Sequence, residues 1–278
     1  MLRERVSDDV YVFTSERYAK VTAGAVVTPR GVVVIDTLPL PLESREMAWF
    51  ISRCCPAGVR YVVLTHYHAD HTYGAYLYPE ARVVAHTRCR ELLATRGQEG
   101  LERAKEEAPE LEEVVLRLPT LTLDEGEMDL RIGDKTLRLL WTPGHADDVT
   151  SVFVEEDRVL FASDTVMPVP AIVDGDVETL KGSLQRLREL EPDSIVQGHG
   201  EVILRGEVQA VIDRNIAYLE RIQGLVEGAV GEGRQVESLA EIDIEECGLS
   251  RVALDGQAQQ LHEANLLALH DRIGRRSG

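Results

Sequence analysis

The residues best suited to metal chemistry lie in one heptapeptide, THYHADH, at positions 65–71. It holds three histidines and one aspartate, and imidazole nitrogen combined with carboxylate oxygen favours zinc or iron over magnesium or calcium. His66 and His68 are two positions apart, so in an extended segment both face the same side and can share one ion. Asp70 and His71 are adjacent, so the chain must turn before both can face a common centre. The spacing therefore predicts two neighbouring metal ions.

Three more candidate ligands follow predicted strands elsewhere in the chain. His145 comes after Gly144 in a loop behind a strand that ends at Trp141, and His199 lies between two glycines. Asp164 follows the predicted strand 159–162. Glycine beside a ligand lets the backbone fold tightly around an ion, and a sheet holds the residues at its strand ends rigidly. Each loop therefore offers one nitrogen or oxygen ligand to the centre that the heptapeptide begins.

The elements that would position these residues are strands and helices mixed along the chain. Apolar runs bounded by turn residues predict the strands, and apolar residues at helical spacing predict the helices. Because both types occur throughout, the sequence predicts an α/β or α+β sandwich. The predicted strands cover 10–13, 21–28, 31–37, 60–65, 81–86 and 194–197, with hairpins at 130–141 and 150–162, and the predicted helices cover 42–54, 87–96, 177–190, 206–230 and 257–273.

Residues 98–117 are densely charged and are interrupted by Pro109. A run of charge is usually a solvated face, so we predict a solvated helical insertion, with a lid over the site as the alternative. Tyr73, just after the heptapeptide, either lines the mouth of a pocket or packs in the core.

Composition limits the partners of this chain. Of its 278 residues, 48 are acidic and 30 are basic, which gives a net charge of −18. Such a field repels nucleic acid and anionic membranes, so we expect a small-molecule substrate, with neither nucleic acid nor a membrane as partner. We recognise no signal peptide or membrane-spanning run. The cysteines at 54, 55, 89 and 247 lack disulfide or metal spacing, so we expect a cytoplasmic protein with reduced thiols.

The order of the candidate ligands resembles the motifs of the metallo-β-lactamase-fold hydrolase superfamily. Those motifs are an Asp that ends an early strand, HxHxDH, a later His, a bridging Asp and a last His. The chain matches them in order with Asp36, the heptapeptide, His145, Asp164 and His199, and the resemblance covers about residues 10–225. It implies a four-layer αβ/βα sandwich with C-terminal helices. A catalytic domain would cover 1–230, and a helical extension packed on it would cover 231–278.

The resemblance also implies a role for each candidate residue. It implies one metal ion held by His66, His68 and His145, a second held by Asp70, His71 and His199, and Asp164 as the bridge between them. Asp36 would orient the heptapeptide without binding an ion.

Asp164 sets the chain apart from the zinc β-lactamases themselves, which lack this bridging carboxylate. The ligands are similar to those of glyoxalase II-like thioesterases, which also carry a C-terminal helical substrate domain, although no glutathione-binding pattern is recognisable in this sequence. The relatives that process tRNA ends carry a basic arm, and we see none here. The resemblance therefore points to the glyoxalase II-like branch.

These observations predict a dinuclear zinc hydrolase, with iron or manganese as alternative metals. A hydroxide shared by the two ions would attack a small ester, thioester, lactone or amide, and Asp70 would be the catalytic residue that orients it. The alternative is a mononuclear iron oxygenase similar to the persulfide dioxygenases, which share the fold and the motifs. A relative that keeps the fold without activity is a third interpretation.

The remaining histidines and the C-terminal helix read as structural. His86 is predicted at the start of a helix, and His262 and His270 as structural or surface residues. The last helix carries an apolar set that the body of the chain, a second subunit or a substrate tail must cover, and a closing helix and a homodimer interface are the main alternatives. That set consists of Leu261, Leu266, Leu267, Leu269 and Ile273.

Overall fold

Two β-sheets packed face to face, with helices against both outer surfaces, make up the architecture. The structure is a computed structural model and describes residues 1–276. Seven strands form the first sheet and six form the second. This arrangement confirms the predicted α/β sandwich with C-terminal helices.

The strands of the described residues are β1 Leu2–Arg5, β2 Val10–Thr14, β3 Thr22–Thr28, β4 Gly31–Ile35, β5 Val59–Val63, β6 Arg82–His86, β7 Leu121–Leu123, β8 Glu127–Ile132, β9 Lys135–Trp141, β10 Thr150–Val154, β11 Val159–Ser163, β12 Ser194–Gln197 and β13 Ile203–Leu204. The α-helices are α1 Pro41–Cys54, α2 Ala69–Thr72, α3 Thr87–Leu92, α4 Gln98–Glu107, α5 Val177–Glu189, α6 Val208–Gly231 and α7 Ala258–Arg276. Short 3-10 helices cover Tyr73–Leu77, Pro109–Leu111, Val236–Glu241, Ile244–Cys247 and Leu254–Gly256, and a π-helical turn covers Leu93–Gly97.

The first sheet changes from antiparallel to parallel pairing at its centre. Its order is β1-β2-β3-β4-β5-β6-β7. Strands β1 to β4 pair antiparallel, whereas β4 to β7 pair in parallel. Parallel neighbours need crossover connections, and α1 supplies the one between β4 and β5. The carboxyl ends of β4 and β5 consequently lie at the same edge of the sheet.

The second sheet has the order β13-β12-β11-β10-β9-β8. Strands β9 and β11 are both antiparallel to β10, and β12 is parallel to β11 through the crossover helix α5. Therefore β9, β11 and β12 run in one direction, and their carboxyl ends share one edge of the second sheet.

Alternating side chains build the layers. Along β4, Val33 and Ile35 pack between the sheets, whereas Val32 and Val34 pack with α1 residues on the outer face. Successive strand residues point to opposite faces, so a continuous apolar run suits a strand buried on both faces. All of β4 is buried, as its sequence predicts. The outer face of the second sheet is covered by α5, α6 and α7.

The segment after α6 folds back onto the body of the chain. Leu266 and Leu269 of α7 are buried in the same apolar cluster as α5 and α6, and Leu261 and Ile273 pack partly buried against it. Leu267 is 49% exposed. The body thus covers most of the apolar set, as a closing helix requires, while the homodimer and the domain division at residue 230 stay predictions. The last two residues of the predicted extension, 277–278, lie outside the described residues.

The charged insertion forms α4 and then the 3-10 turn Pro109–Leu111, so its helix is interrupted where Pro109 predicts. Most of its side chains are exposed, but Leu101, Leu111 and Val114 are buried in a small cluster with Tyr73. Tyr73 itself is 5% exposed and so belongs to the core. The insertion is a solvated segment anchored beside the heptapeptide, and a role as a lid stays a prediction.

Among the described helices, none combines the length and the apolar character needed to cross a membrane. The four cysteines are free, and three of them are buried.

Candidate metal centre

Five strand ends meet at one edge of the sandwich. Asp36 follows β4 and the heptapeptide follows β5, while His145, Asp164 and His199 follow β9, β11 and β12. A backbone hydrogen bond of 2.8 Å between the start of β10 and the chain just after β5 ties the two sheets together there. The fold therefore brings the loops that carry the candidate ligands to one place.

Three imidazoles, which we call the first group, converge on one point. His68 Nδ1 lies 2.9 Å from Nε2 of His66 and 3.1 Å from Nε2 of His145. His66 and His145 are buried, whereas the His68 side chain is 25% exposed. His68 therefore marks the open side of the centre.

Each ring of the first group uses its outer nitrogen as a donor. His145 Nδ1 donates to Ala171 O (2.9 Å), and His68 Nε2 donates to Asp174 Oδ2 (3.3 Å). His66 Nδ1 donates to the hydroxyl of the preceding threonine (3.1 Å), whose own proton goes to a carboxylate. These bonds set the tautomers, so the lone pairs of the inner nitrogens face one another. A shared cation would satisfy all three, and neutral imidazoles around one ion are typical of zinc.

The second group combines Asp70, His71 and His199. Asp70 Oδ2 lies 3.3 Å from His199 Nε2 and 3.8 Å from His71 Nε2. The outer nitrogens are again donors, from His71 Nδ1 to Asp36 Oδ2 (2.8 Å) and from His199 Nδ1 to Ala19 O (2.9 Å). The remaining nitrogen of each ring faces the carboxylates of the centre.

Asp36 ties the heptapeptide to the first sheet. Its carboxylate accepts hydrogen bonds from Thr65 N (2.8 Å), Thr65 Oγ1 (2.7 Å) and His71 Nδ1. Its backbone φ is 55°, a left-handed conformation that costs a non-glycine residue free energy and recurs at functional sites. With three donors around it, this carboxylate orients the heptapeptide, as the resemblance implies.

Asp164 lies between the two groups. Its Oδ2 is 3.4 Å from His145 Nε2 and 3.6 Å from His199 Nε2, and its Oδ1 is 3.3 Å from His71 Nε2. Although that Oδ1 and His71 Nε2 are close, they form no well-aligned hydrogen bond, and both are buried with no other hydrogen-bond partner in the described part of the chain. Buried polar atoms normally have partners, so these two fit the role of metal ligands. Gly198 permits the close approach, because a Cβ there would lie 1.7 Å from Asp164 Oδ1.

The carboxylates of this centre stabilise positive charge. Burial would lower the pKa of His199, but the carboxylates of Asp164 and Asp70 raise it to about 10. Burial would raise the pKa of Asp164, but the imidazoles of His71 and His199 hold it well below its ordinary value. Burial lowers the pKa of His145 to about 4. Ionised carboxylates beside imidazoles suit divalent cations, which would take the place of the protons.

The structure brings all seven predicted ligands together. Candidate ligand atoms of His66, His68, His145 and Asp164 lie within 4.8 Å of one another, and so do those of Asp70, His71 and His199. Their binding of metal stays a prediction.

The other three histidines lie elsewhere. His86 precedes α3, and its Nδ1 accepts a hydrogen bond from Arg88 N (3.1 Å), so it starts a helix as predicted. His262 is buried and bonded to the hydroxyl of Tyr218 (3.0 Å). His270 is half-buried on α7. Sequence and structure agree that these residues are not part of the centre.

Sequence reasoning missed three residues beside the motif. Asp174 Oδ2 accepts from the hydroxyl of Tyr67 (3.0 Å) as well as from His68, and Asp148 Oδ2 accepts from Tyr67 N (2.8 Å). Both aspartates lie in irregular loops, where no spacing distinguishes them. Tyr18 lies between β2 and β3, where the carboxylate of Asp70 raises its pKa.

Comparison with known proteins agrees with this geometry. The family model described as Metallo-beta-lactamase superfamily matches residues 19–199, a span that includes every candidate ligand. A Beta-lactamase-like protein 2 homolog of Caenorhabditis elegans is 26% identical over 167 residues, which cover 58% of this chain and 48% of that protein. A hydroxyacylglutathione hydrolase of Rhodopseudomonas palustris is 28% identical over 176 residues, which cover 62% of this chain and 61% of that enzyme. The chain thus matches about half to three fifths of the length of these curated relatives.

A solved structure extends the likeness to the C-terminal helices. A metallo-beta-lactamase family protein from Thermus thermophilus superposes with a TM-score of 0.67 at 21% identity. The match covers 98% of this chain and 95% of that one, so the two proteins share the whole fold.

Proposed function

The chain belongs to the metallo-beta-lactamase superfamily, and from this premise we propose that it is a dinuclear, zinc-dependent hydrolase. One observation carries the proposal, namely that two groups of ligand atoms lie on either side of the shared carboxylate of Asp164. A single ion in the first group would leave His71 Nε2 and Asp164 Oδ1 buried and facing each other at 3.3 Å, without a well-aligned hydrogen bond. A second ion removes that cost, which favours two metals over one.

The ligands we propose are those of the two groups with Asp164 between them. When bound, such ions supply a water that is acidic enough to attack at neutral pH and polarise the carbonyl under attack. Burial would raise the pKa of Asp70, but His71 and His199 hold it below its ordinary value. Asp70 is therefore ionised at neutral pH, so it can orient the attacking water by accepting its hydrogen bond. This is the catalytic role we assign to Asp70.

Other residues of the chain hold the imidazole rings in place, and water rather than a side chain is the proposed nucleophile. Hydrogen bonds from the outer nitrogens to Asp36, Ala19 and Ala171 fix the imidazoles before substrate arrives. Cys89 does not compete as a nucleophile, because burial raises the pKa of its thiol well above the ordinary value.

We propose a small ester or thioester as the substrate, with lactones and amides as chemical alternatives. The likeness to a hydroxyacylglutathione hydrolase, whose name denotes a thioester substrate, supports the thioester. The net charge of −18 disfavours nucleic acid as a partner. Four free cysteines favour a reducing, cytoplasmic location.

Metal analysis with a substrate panel tests the proposal. Purified protein should hold two zinc ions per chain and hydrolyse at least one ester, thioester, lactone or amide of the panel. One iron per chain, with consumption of oxygen in the presence of a persulfide, would select the mononuclear oxygenase instead. Protein that binds no metal and stays inactive after incubation with zinc contradicts the proposal.

A further inference from the structure

Residues 165–176, which follow Asp164 in the loop between β11 and α5, hold two of the three imidazoles in the first group. Ala171 O accepts from His145 Nδ1 (2.9 Å), and Asp174 Oδ2 accepts from His68 Nε2 (3.3 Å). Both contacts are made to outer nitrogens. The position of this loop therefore sets the direction in which two of the three inner nitrogens point.

Helix α7 holds the same loop from its other side. Asn265 Oδ1 accepts from Ile172 N (2.9 Å), and Asn265 Nδ2 donates to Pro170 O (2.7 Å). Arg272 donates to Ile172 O and to Val173 O, both at 2.8 Å. The loop has irregular backbone, and backbone polar groups that are buried need partners. Side chains of α7 supply those partners immediately beside Ala171.

A buried polar chain fixes Asn265 in turn. Asn265 is fully buried, and its Nδ2 also donates to the hydroxyl of Tyr218 on α6 (3.1 Å). That hydroxyl donates to His262 Nδ1 (3.0 Å), and His262 Nε2 donates to Ile242 O (3.1 Å). A buried amide bonded through both of its ends has one orientation. The hydrogen bonds from α7 therefore hold the loop in one orientation, which apolar packing alone would not do.

We propose that Asn265 and Arg272 are positioning residues for the first metal group. They act through loop 165–176 on the outer nitrogens of His145 and His68, and so they give the C-terminal helix a part in metal binding. The inference rests on the proposed metal site. The second group takes its outer contacts from loops of the first sheet, so the proposal predicts that the loss of these side chains weakens the first group selectively.

Arg272→Met is the primary test, because methionine keeps an apolar stem and removes both donated hydrogen bonds. Titration of the metal-free full chain with cobalt(II), against a competing chelator and followed by visible absorption, resolves two binding steps. We expect the apparent affinity of the first group to fall about tenfold, the lower end of the range for outer partners of metal ligands, while the second group keeps its affinity. Asn265→Leu should have the larger effect, and circular dichroism establishes that it folds. Leu267→Ala, an exposed position on the same helix, is the matched control and should equal the parent.

The outcomes separate this inference from the proposed function. If the parent binds cobalt at two sites and folded Arg272→Met and Asn265→Leu match it, the inference is wrong and the function stands. Equal weakening of both groups, or the same loss in Leu267→Ala, would mean that α7 contributes general stability only, and this also overturns the inference. A parent that binds no metal at all overturns both.

Discussion

The two groups of candidate ligands in the proposed metal centre are held by different parts of the chain. The second group is supported by the first sheet, where Asp36 sits directly after β4 and receives three hydrogen bonds. Two of the three imidazoles of the first group, those of His68 and His145, are supported by an irregular loop that depends on α7 for its own position. Strand ends are rigid, whereas loops vary and move more readily. We therefore expect that, in the proposed centre, a substitution can change the metal affinity of one group and preserve that of the other.

The largest effect is expected from the ligands of the first group. His66→Ala or His145→Ala should abolish binding at that group and nearly all turnover, because three-histidine coordination leaves no spare ligand. Metal analysis and hydrolysis assays measure both. His270→Ala, which lies on α7 away from the centre, is the control and should behave as the parent. Full metal content with near-normal activity in both ligand variants would show that these residues are not ligands.

Asp164→Ala should remove the second metal and much of the activity while leaving the fold intact. The carboxylate offsets the repulsion between two dications, so its loss affects occupancy more than the free energy of unfolding. Metal stoichiometry and thermal unfolding test this, with Asp134→Ala in the β8–β9 turn as control. Two metals per chain in Asp164→Ala would argue against a bridge.

Asp36→Asn should sharpen the comparison between the groups. His71 Nδ1 would lose its anionic acceptor, and the change should weaken metal binding about 10–100-fold, chiefly at the second group. Chelator competition on the metal-free protein measures it. A greater loss of metal affinity at the first group than at the second would contradict the expectation that Asp36 supports chiefly the second group.

Asp174→Asn should have the smallest effect. The side chain of Asp174 is 44% exposed, so water can replace its hydrogen bond to His68. We expect the affinity of the first group to fall by about tenfold or less, with the second group unaffected. Asp174→Glu should restore part of the loss, and the same chelator competition decides the matter. A loss as large as that of His145→Ala would mean that Asp174 does more than orient a ring.

The centre could be predicted from sequence because its signals are local. Four candidate ligands lie in one heptapeptide, and the glycines on both sides of His199 mark it as a candidate ligand. The central strands could be predicted for a related reason, since a strand such as β4 is apolar throughout when both of its faces are buried. Residue type and short spacing identified the candidate residues, and the resemblance to the superfamily divided them between two groups.

The residues that hold the ligands in place could not be predicted, because their contacts join parts of the chain that are far apart in sequence. Asn265 and Ile172 are 93 positions apart, and nothing near either residue marks the pairing. Strand β1 was not predicted because its four residues are all exposed and charged residues dominate it, so it lacks the apolar alternation of a half-buried strand. Strand β13 has two residues and is too short for any periodicity.

The distribution of the ligands along the chain also orders the events of biosynthesis. A chain grows from its N-terminus, so the heptapeptide leaves the ribosome well before His145, Asp164 and His199 exist. The ligands of the first group exist once His145 and Asp164 have been translated, whereas the second group needs His199 after β12, and the loop behind the first group gains its hydrogen bonds from α7 later still. We therefore expect the metal ions of the proposed centre to bind after the sandwich is assembled, because the heptapeptide alone offers only two ligands to each group.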